Sequence, residues 1–343
     1  MTRSQYLRSA VRHVAVAFVG AAAALLAEPA AAQQITMKIG MVTINDPLHS
    51  FATRFAAEVE NRTGGRIKGQ VYPAGQLGKL PRQMEALQFG TQEILICPPG
   101  FLAGINPAFQ VADAPGFFRD MDYGHAVVSR PQLRDMLLGL AKSKGIRGLS
   151  LWVYGPTVIT TIKPMQSLED LNGLKVRILA SDLERATVEA LNMSGVPMDF
   201  TETLPAFQNG TIDAVRTSIV VMGGMKFYNT AKYVLKDHTG MIFVGVWASE
   251  SWLAGLPADL RQIVVDTAAD LSRFGTDNAK EFEASAEKAW IDAGVKITDL
   301  TPEQRGALFA KLRPVGDRVL GKDARMAEAW KSLLAAAAQV PSN

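Results

Sequence analysis

The sequence predicts an α/β protein of two domains, and three observations carry that prediction. Short apolar runs alternate with amphipathic stretches along the chain, the pattern of a sheet joined by crossover helices. The chain has 343 residues, about 310 of them after the leader described below, a length that suits two domains or one with large insertions. The third observation is the absence of repeats or a low-complexity linker, so two domains have to be joined by several structured crossings.

The first stretch is a leader. Arg3, Arg8 and Arg12 form a positive head, Val14 to Leu26 is apolar, and Ala30, Ala31 and Ala32 are the small residues a signal peptidase accepts. These features predict a secretory signal cleaved near Ala32. Its run of about 14 apolar residues falls short of the ~20 needed to span a bilayer. The formal charge of +3 includes Arg3, Arg8, Arg12 and Glu28, which carry a net +2, so the mature chain keeps about +1. No basic run stands out, which argues against a nucleic-acid footprint. Cys97 is the single cysteine, so an exported chain has no internal disulfide. It closes the apolar run Ile94 to Cys97 and is expected to be a buried strand residue.

The elements follow in order. Ile35 to Met41 alternates apolar and polar residues and reads as a strand. Phe51, Phe55 and Val59 line one face of a helix that Gly64 and Gly65 stop. Arg66 to Tyr72 returns as a strand ending at Pro73. Pro81 fits the first turn of a helix carrying Met84 and Leu87 and ending at Gly90. Leu149, Leu151 and Val153 alternate with Ser150, Trp152 and Tyr154, a strand placed to run between domains. Lys175 to Leu179 is a strand, and Asp182 to Asn192 a helix capped by Ser181 or Asp182. Thr201 to Asn209 reads as a helix opened by Thr201 or Thr203, with Pro205 in its first turn. From about Pro257 to Ala293 the composition is strongly helical, and Thr301-Pro302-Glu303 starts another helix.

Catalytic patterns are missing from the sequence. No Gly-x-Ser-x-Gly elbow is present. His49, His125 and His238 lie far apart, without the spacing of a zinc site, and are expected on the surface or in loops. Gly75-Gln76-Leu77-Gly78-Lys79 is not a phosphate loop, since Pro73 stands where the first glycine belongs and Leu80 follows the lysine. No metal and no cofactor are expected.

An ordered series of phrases carries a family resemblance. It runs from Glu60 with Thr63-Gly64-Gly65-Arg66, through Tyr72-Pro73-Ala74-Gly75-Gln76-Leu77-Gly78 and Phe89-Gly90-Thr91, to Ala114-Pro115-Gly116-Phe117-Phe118. Asp170-Leu171-Asn172-Gly173-Leu174-Lys175-Val176-Arg177, Pro197-Met198-Asp199-Phe200-Thr201-Glu202 and Phe207-Gln208-Asn209-Gly210-Thr211-Ile212-Asp213 complete it. Over nearly all of the mature chain the sequence resembles the solute receptors of tripartite ATP-independent periplasmic (TRAP) transporters. The resemblance implies a two-lobed α/β periplasmic binding protein, each lobe a mixed sheet flanked by helices, joined by crossing strands and a long helix. Residues 33–156 with 245–290 would form lobe I and 157–244 with 291–343 lobe II, the helix at about 258–291 spanning both. It further implies a periplasmic monomer that binds a small carboxylate and delivers it to a TRAP permease, without catalysis.

Five positions follow from the same resemblance. Arg177 matches the arginine that pairs with the ligand carboxylate, and Phe200 an aromatic that packs on the ligand. Thr217 stands where many members carry asparagine, Arg216 where they often carry glutamate, and Thr157 where some place a second arginine. A hydroxyl at 217 donates one hydrogen bond but does not reproduce an amide. Apart from the resemblance, Trp152 and Tyr154 are further candidate walls, although aromatics at such spacing are more often core than ligand contacts. A guanidinium suits the task because it stays charged and grips a carboxylate through two parallel hydrogen bonds.

Overall fold

The computed structural model describes residues 34–165, 167–178 and 181–341; the leader at 1–32 lies outside them. The chain begins with β1 (Ile35–Gly40), α1 (Pro47–Arg62), β2 (Ile67–Tyr72), α2 (Leu80–Gln88) and β3 (Ile94–Cys97). Two 3₁₀ turns, Pro99–Gly104 and Pro107–Asp113, lead to α3 (Met121–Val128), α4 (Pro131–Gly139) and β4 (Ile146–Pro156). Then come β5 (Val158–Thr161), β6 (Lys175–Ile178), α5 (Asp182–Ala190), β7 (Ser194–Pro197), α6 (Phe200–Gln208) and β8 (Ala214–Thr217). The chain continues through α7 (Ile219–Gly224), β9 (Tyr233–Lys236), β10 (Met241–Ser249), α8 (Glu250–Gly255) and α9 (Ala258–Asp270). It ends with α10 (Ser272–Asp292), β11 (Lys296–Asp299), α11 (Pro302–Leu320) and α12 (Ala324–Ala338).

Two mixed sheets result, in the orders β2-β1-β3-β10-β4 and β11-β9-β5-β8-β6-β7. In the first, β1 runs parallel to β2 and β3, while β10 is antiparallel to β3 and β4. In the second, β6 is parallel to β7 and β8, and β5 antiparallel to β8 and β9. All four residues of β3 are buried, as a strand covered on both faces requires. Asp46 starts α1 by accepting from His49 N at 3.0 Å, and Pro47 fills the first turn. That helix buries Phe51, Phe55 and Val59.

The chain changes sheets between β4 and β5 at Thr157, again between β9 and β10 over Asp237–Gly240, and a third time between β10 and β11 by way of α8, α9 and α10. The first two crossings are bonded to each other. Thr157 N donates to Gly240 O at 2.9 Å and His238 N to Thr157 O at 3.1 Å. Gly240 N donates in turn to Thr157 Oγ1 at 3.0 Å.

The helical stretch from 257 to 293 is broken at Leu271 into α9 and α10. The cause is tertiary. Strand β4 lies at the edge of its sheet, and α10 caps that edge. Ser272 Oγ donates to Leu151 O at 2.5 Å, and Val153 N donates to Thr276 Oγ1 at 3.1 Å. Edge groups left unpaired would offer a template to other chains. Trp152 stacks on Phe51 with ring centroids 5.4 Å apart and belongs to this core, where the sequence reading makes it a candidate wall of the site. Helix α11 packs on α5, but α12 returns to α3, α4 and the Pro107–Asp113 turn.

Candidate functional site

Between the two sheets lies a cavity of about 80 Å³. At roughly 10–15 Å³ per water on that measure, it has room for about five to eight waters, or for a compact organic acid. Ile96, Cys97 and Tyr154 of the first sheet line it together with Val42 and Thr43 just after β1, and Arg177, Arg216 and Thr217 of the second sheet line it with Thr157 of the crossing and Phe200 of α6. The structure thus brings all five residues singled out in the sequence to one cavity, and Tyr154 joins them.

Arg177 is the third residue of β6, in register with Val196 of β7 and Val215 of β8. Only 2% of it is exposed. Its Nε donates to Met198 O at 3.1 Å, while Nη2 is buried with no hydrogen-bond partner among the described residues. Burial lowers its pKa to about 10, against the opposing pull of Glu184 and Asp199, so the side chain remains a cation at neutral pH. Neither carboxylate is free to neutralise it. Asp199 accepts from Thr201 N and Oγ1 at 2.9 and 2.7 Å, and Glu184 is engaged by Arg216.

Phe200 sits beside this cation because of where α6 begins. Asp199, rather than Thr201 or Thr203, caps the helix, so Phe200 is its first residue and Pro205 falls inside it, beyond the first turn. The aspartate oxygen outcompetes the threonine hydroxyls as acceptor for the free N–H groups. The Phe200 ring lies 5.4 Å from Arg177 Cζ, within cation–π range, and stacks on Phe227 at 6.0 Å.

Arg216, on β8, is 3% exposed; both of its terminal nitrogens are engaged, while Nε is buried without a hydrogen-bond partner among the described residues. Nη1 donates to Glu184 Oε1 at 2.9 Å, and Nη2 to Thr157 Oγ1 and Thr239 Oγ1, both at 3.0 Å. Its Nε lies 3.6 Å from Asp237 Oδ2. Burial opposes its charge, but Glu184 and Asp237 more than offset this and hold its pKa above the usual value. A Cβ at Gly240 would stand 2.8 Å from Arg216 Nη2, so glycine there admits the guanidinium. Thr157, in the first crossing, accepts from Arg216. Thr217, half-buried, ends β8 at the cavity wall.

Two carboxyls on the lining, Asp113 and Glu184, were not distinguished by sequence reasoning. Glu184 lies in an amphipathic helix where acids are ordinary. Asp113 carries a weak signal, as the lone charge in the apolar stretch Phe109 to Phe118. Burial, with the charge of Glu184 adding to it, pushes its carboxyl well above the normal range, against the pull of Arg216. Burial likewise pushes the Cys97 thiol up. No grouping of three or more His, Cys, Asp or Glu fit to hold a metal occurs among the described residues. No helix among them is long and apolar enough to cross a membrane.

A two-sheet protein with a cation-bearing cavity between the sheets invites comparison with known receptors. The model of the bacterial extracellular solute-binding proteins, family 7, matches residues 40–323. The chain belongs to this family. Among family 7 relatives, the C4-dicarboxylate-binding periplasmic protein DctP of Rhodobacter capsulatus is 32% identical over 316 residues, covering 90% of this chain and 94% of that one. The 2,3-diketo-L-gulonate-binding periplasmic protein YiaO of Escherichia coli is 26% identical, covering 82% and 86%. A TRAP periplasmic solute binding protein of Desulfovibrio salexigens, solved with bound orotic acid, superposes with a TM-score of 0.84 at 25% identity. That match covers 89% of this chain and 99% of the other. The family 7 chain described here is therefore a solute-binding receptor of the TRAP class, with the two-lobed fold of its neighbours.

Proposed function

We propose that this receptor captures a small organic acid by pairing its carboxylate with Arg177 and hands it to a TRAP permease in the membrane. The observation that carries the reading is a buried, charged guanidinium with an unpartnered Nη2 on the wall of an interlobe cavity. An unpaired buried cation costs several kcal/mol. An incoming carboxylate removes that cost and adds charge-assisted hydrogen bonds of roughly 1.5–3 kcal/mol each. The relatives support the class, since the Rhodobacter protein is named for dicarboxylates and the Desulfovibrio protein holds orotic acid.

Phe200 packs on the ligand beside the carboxylate, and Thr217 donates one hydrogen bond to it. Arg216 and Thr157 complete the wall, with most of the Arg216 charge already spent on Glu184 and Asp237. The lobes, 33–156 with 245–290 and 157–244 with 291–343, swing about the paired crossings at Thr157 and Asp237–Gly240. With Arg177 98% buried (2% exposed), a ligand reaches it only after such a motion, of the kind common in periplasmic receptors. The protein acts as an exported monomer, its leader removed near Ala32, and catalyses no reaction.

Calorimetry on the leaderless protein tests this reading. Arg177→Ala is expected to abolish carboxylate binding while far-UV circular dichroism stays unchanged. Unchanged affinity overturns it.

A further inference from the structure

The phrase Tyr72-Pro73-Ala74-Gly75-Gln76-Leu77-Gly78, with Lys79 after it, contributes no residue to the cavity lining. It forms a fixed arm on the first sheet. Ala74 N donates to Thr43 O and Gly75 N to Met41 O, both at 2.9 Å, which ties the arm to the chain just after β1. Gly78 N donates to Gly75 O, and Gln83 Nε2 to Gly78 O, both at 2.7 Å. The turn takes positive φ at Ala74, Gly75 and Gly78, which glycine supplies at two of these places. The arm reaches the first turn of α6, the helix that follows β7 of the second sheet. Lys79 Nζ is paired there with Glu202 Oε1, both side chains being exposed. A Cβ at Gly75 would lie in van der Waals contact with Thr201 Cγ2, at 3.4 Å. Glu202 suits that turn, since a carboxylate complements a helix N-terminus. The contact stands far from the crossings. Sheet order puts β2 three strands from β10, and β7 three strands from β5; at ~4.8 Å per strand this is a lever of about 14 Å. The third crossing ends at β11, the edge opposite β7.

We infer that this arm latches the mouth of the cleft, Lys79 being a positioning residue that acts through Glu202 to hold the first turn of α6, and with it Phe200, over the bound acid. The inference rests on the carboxylate reading and its lobe motion, and adds the contact that retains the ligand. Phe200 is the first residue of α6, two before Glu202, and its ring stands 5.4 Å from Arg177 Cζ. Whatever fixes Glu202 therefore fixes that wall of the cavity. Opening about the crossings separates Lys79 from Glu202 more than it separates groups nearer the crossings. An exposed ion pair shifts an equilibrium by no more than about fivefold and is screened by salt. The latch thus tunes how long the acid is held, in step with ionic strength, and leaves the bulk of the affinity to Arg177.

The test titrates pyruvate, succinate, L-malate and orotate by calorimetry into the leaderless protein. It is run at about 20 mM and about 500 mM salt, where screening lengths are roughly 20 Å and 4 Å. For each acid that binds, Lys79→Glu is expected to weaken affinity at least threefold relative to wild type at low salt, with the deficit gone at high salt. Adding Glu202→Lys to that variant is expected to bring affinity back to within twofold of wild type. A misfolded arm recovers with neither salt nor the second reversal. Wild-type affinity in Lys79→Glu at low salt overturns the latch, as does a double reversal that binds no tighter than the single one. Either result leaves the receptor reading standing when Arg177→Ala abolishes binding of the same acid. If none of the acids binds the wild-type protein, the carboxylate reading falls and the latch with it.

Discussion

Arg216 donates to Glu184 across 2.9 Å between β8 and α5, and the same guanidinium binds the hydroxyls of Thr157 and Thr239 on the two crossings. The pair is thus a structural clasp at the two bonded crossings as well as part of the cavity wall. Removing one partner of a buried ion pair costs about 3–5 kcal/mol because the other charge is stranded. Arg216→Met is expected to destabilise the protein by about 3 kcal/mol in denaturant melts, since Glu184 and Asp237 both lose their cation. Unchanged stability would show that the clasp is dispensable.

Arg177 predicts the opposite sign. Its charge is buried without an ion pair, so Arg177→Met removes a burden while keeping much of the volume. The ligand-free protein is expected to gain about 1–2 kcal/mol and melt roughly 2–4 °C higher, with carboxylate binding lost. A lower melting temperature for Arg177→Met in ligand-free buffer contradicts this.

His238, in the second crossing, sets a pH dependence. Burial, joined by the nearby cations Arg305 and Lys236 and opposed by Asp299, lowers its pKa from 6.5 to about 4. The folded state therefore resists a proton that the unfolded chain accepts. Stability from this group is full above pH 6.5 and is lost as pH falls towards 4, by about 2 kcal/mol after allowing for partial exposure. His238 has φ +49°, a conformation asparagine tolerates. His238→Asn is expected to flatten the acid limb of the stability curve between pH 7 and 5, and equal slopes in both proteins would refute the assignment.

Gly275 tests the capping of the β4 edge. A Cβ there would lie 2.6 Å from Trp152 Cδ2, so Gly275→Ala has to push α10 away from the strand. A loss of about 1–3 kcal/mol is expected, as for an overpacked core. Faster amide exchange at Val153, whose N–H bonds Thr276, would locate the damage, and protection equal to wild type would dismiss it.

Much of this fold was legible because period and punctuation agree. Phe51, Phe55 and Val59 share a face, and the paired glycines at 64 and 65 follow; α1 ends at Arg62. The break at Leu271 was not legible, since no glycine or proline marks it. It arises from bonds that Ser272 and Thr276 make to a strand 121–123 residues earlier. Within the site, Arg177 and Phe200 were found through ordered phrases. Asp113 was not, because nothing local distinguishes a buried carboxyl on a cavity lining from one facing water. Arg216 was visible as a residue, but its engagement with Glu184 depends on β8 and α5 meeting in space.

Gly321, Lys322 and Asp323 separate α11 from α12, and the four steps from Leu320 to Ala324 reach only about 14 Å when fully extended. One helix rests on α5 and the other on α3 and α4, while Trp330 Nε1 donates to Asp317 Oδ1 at 2.9 Å to draw them closer. The joint acts as a tether. However widely the halves gape, these facing helix ends part by no more than its length, and a longer insertion there would slacken the jaw.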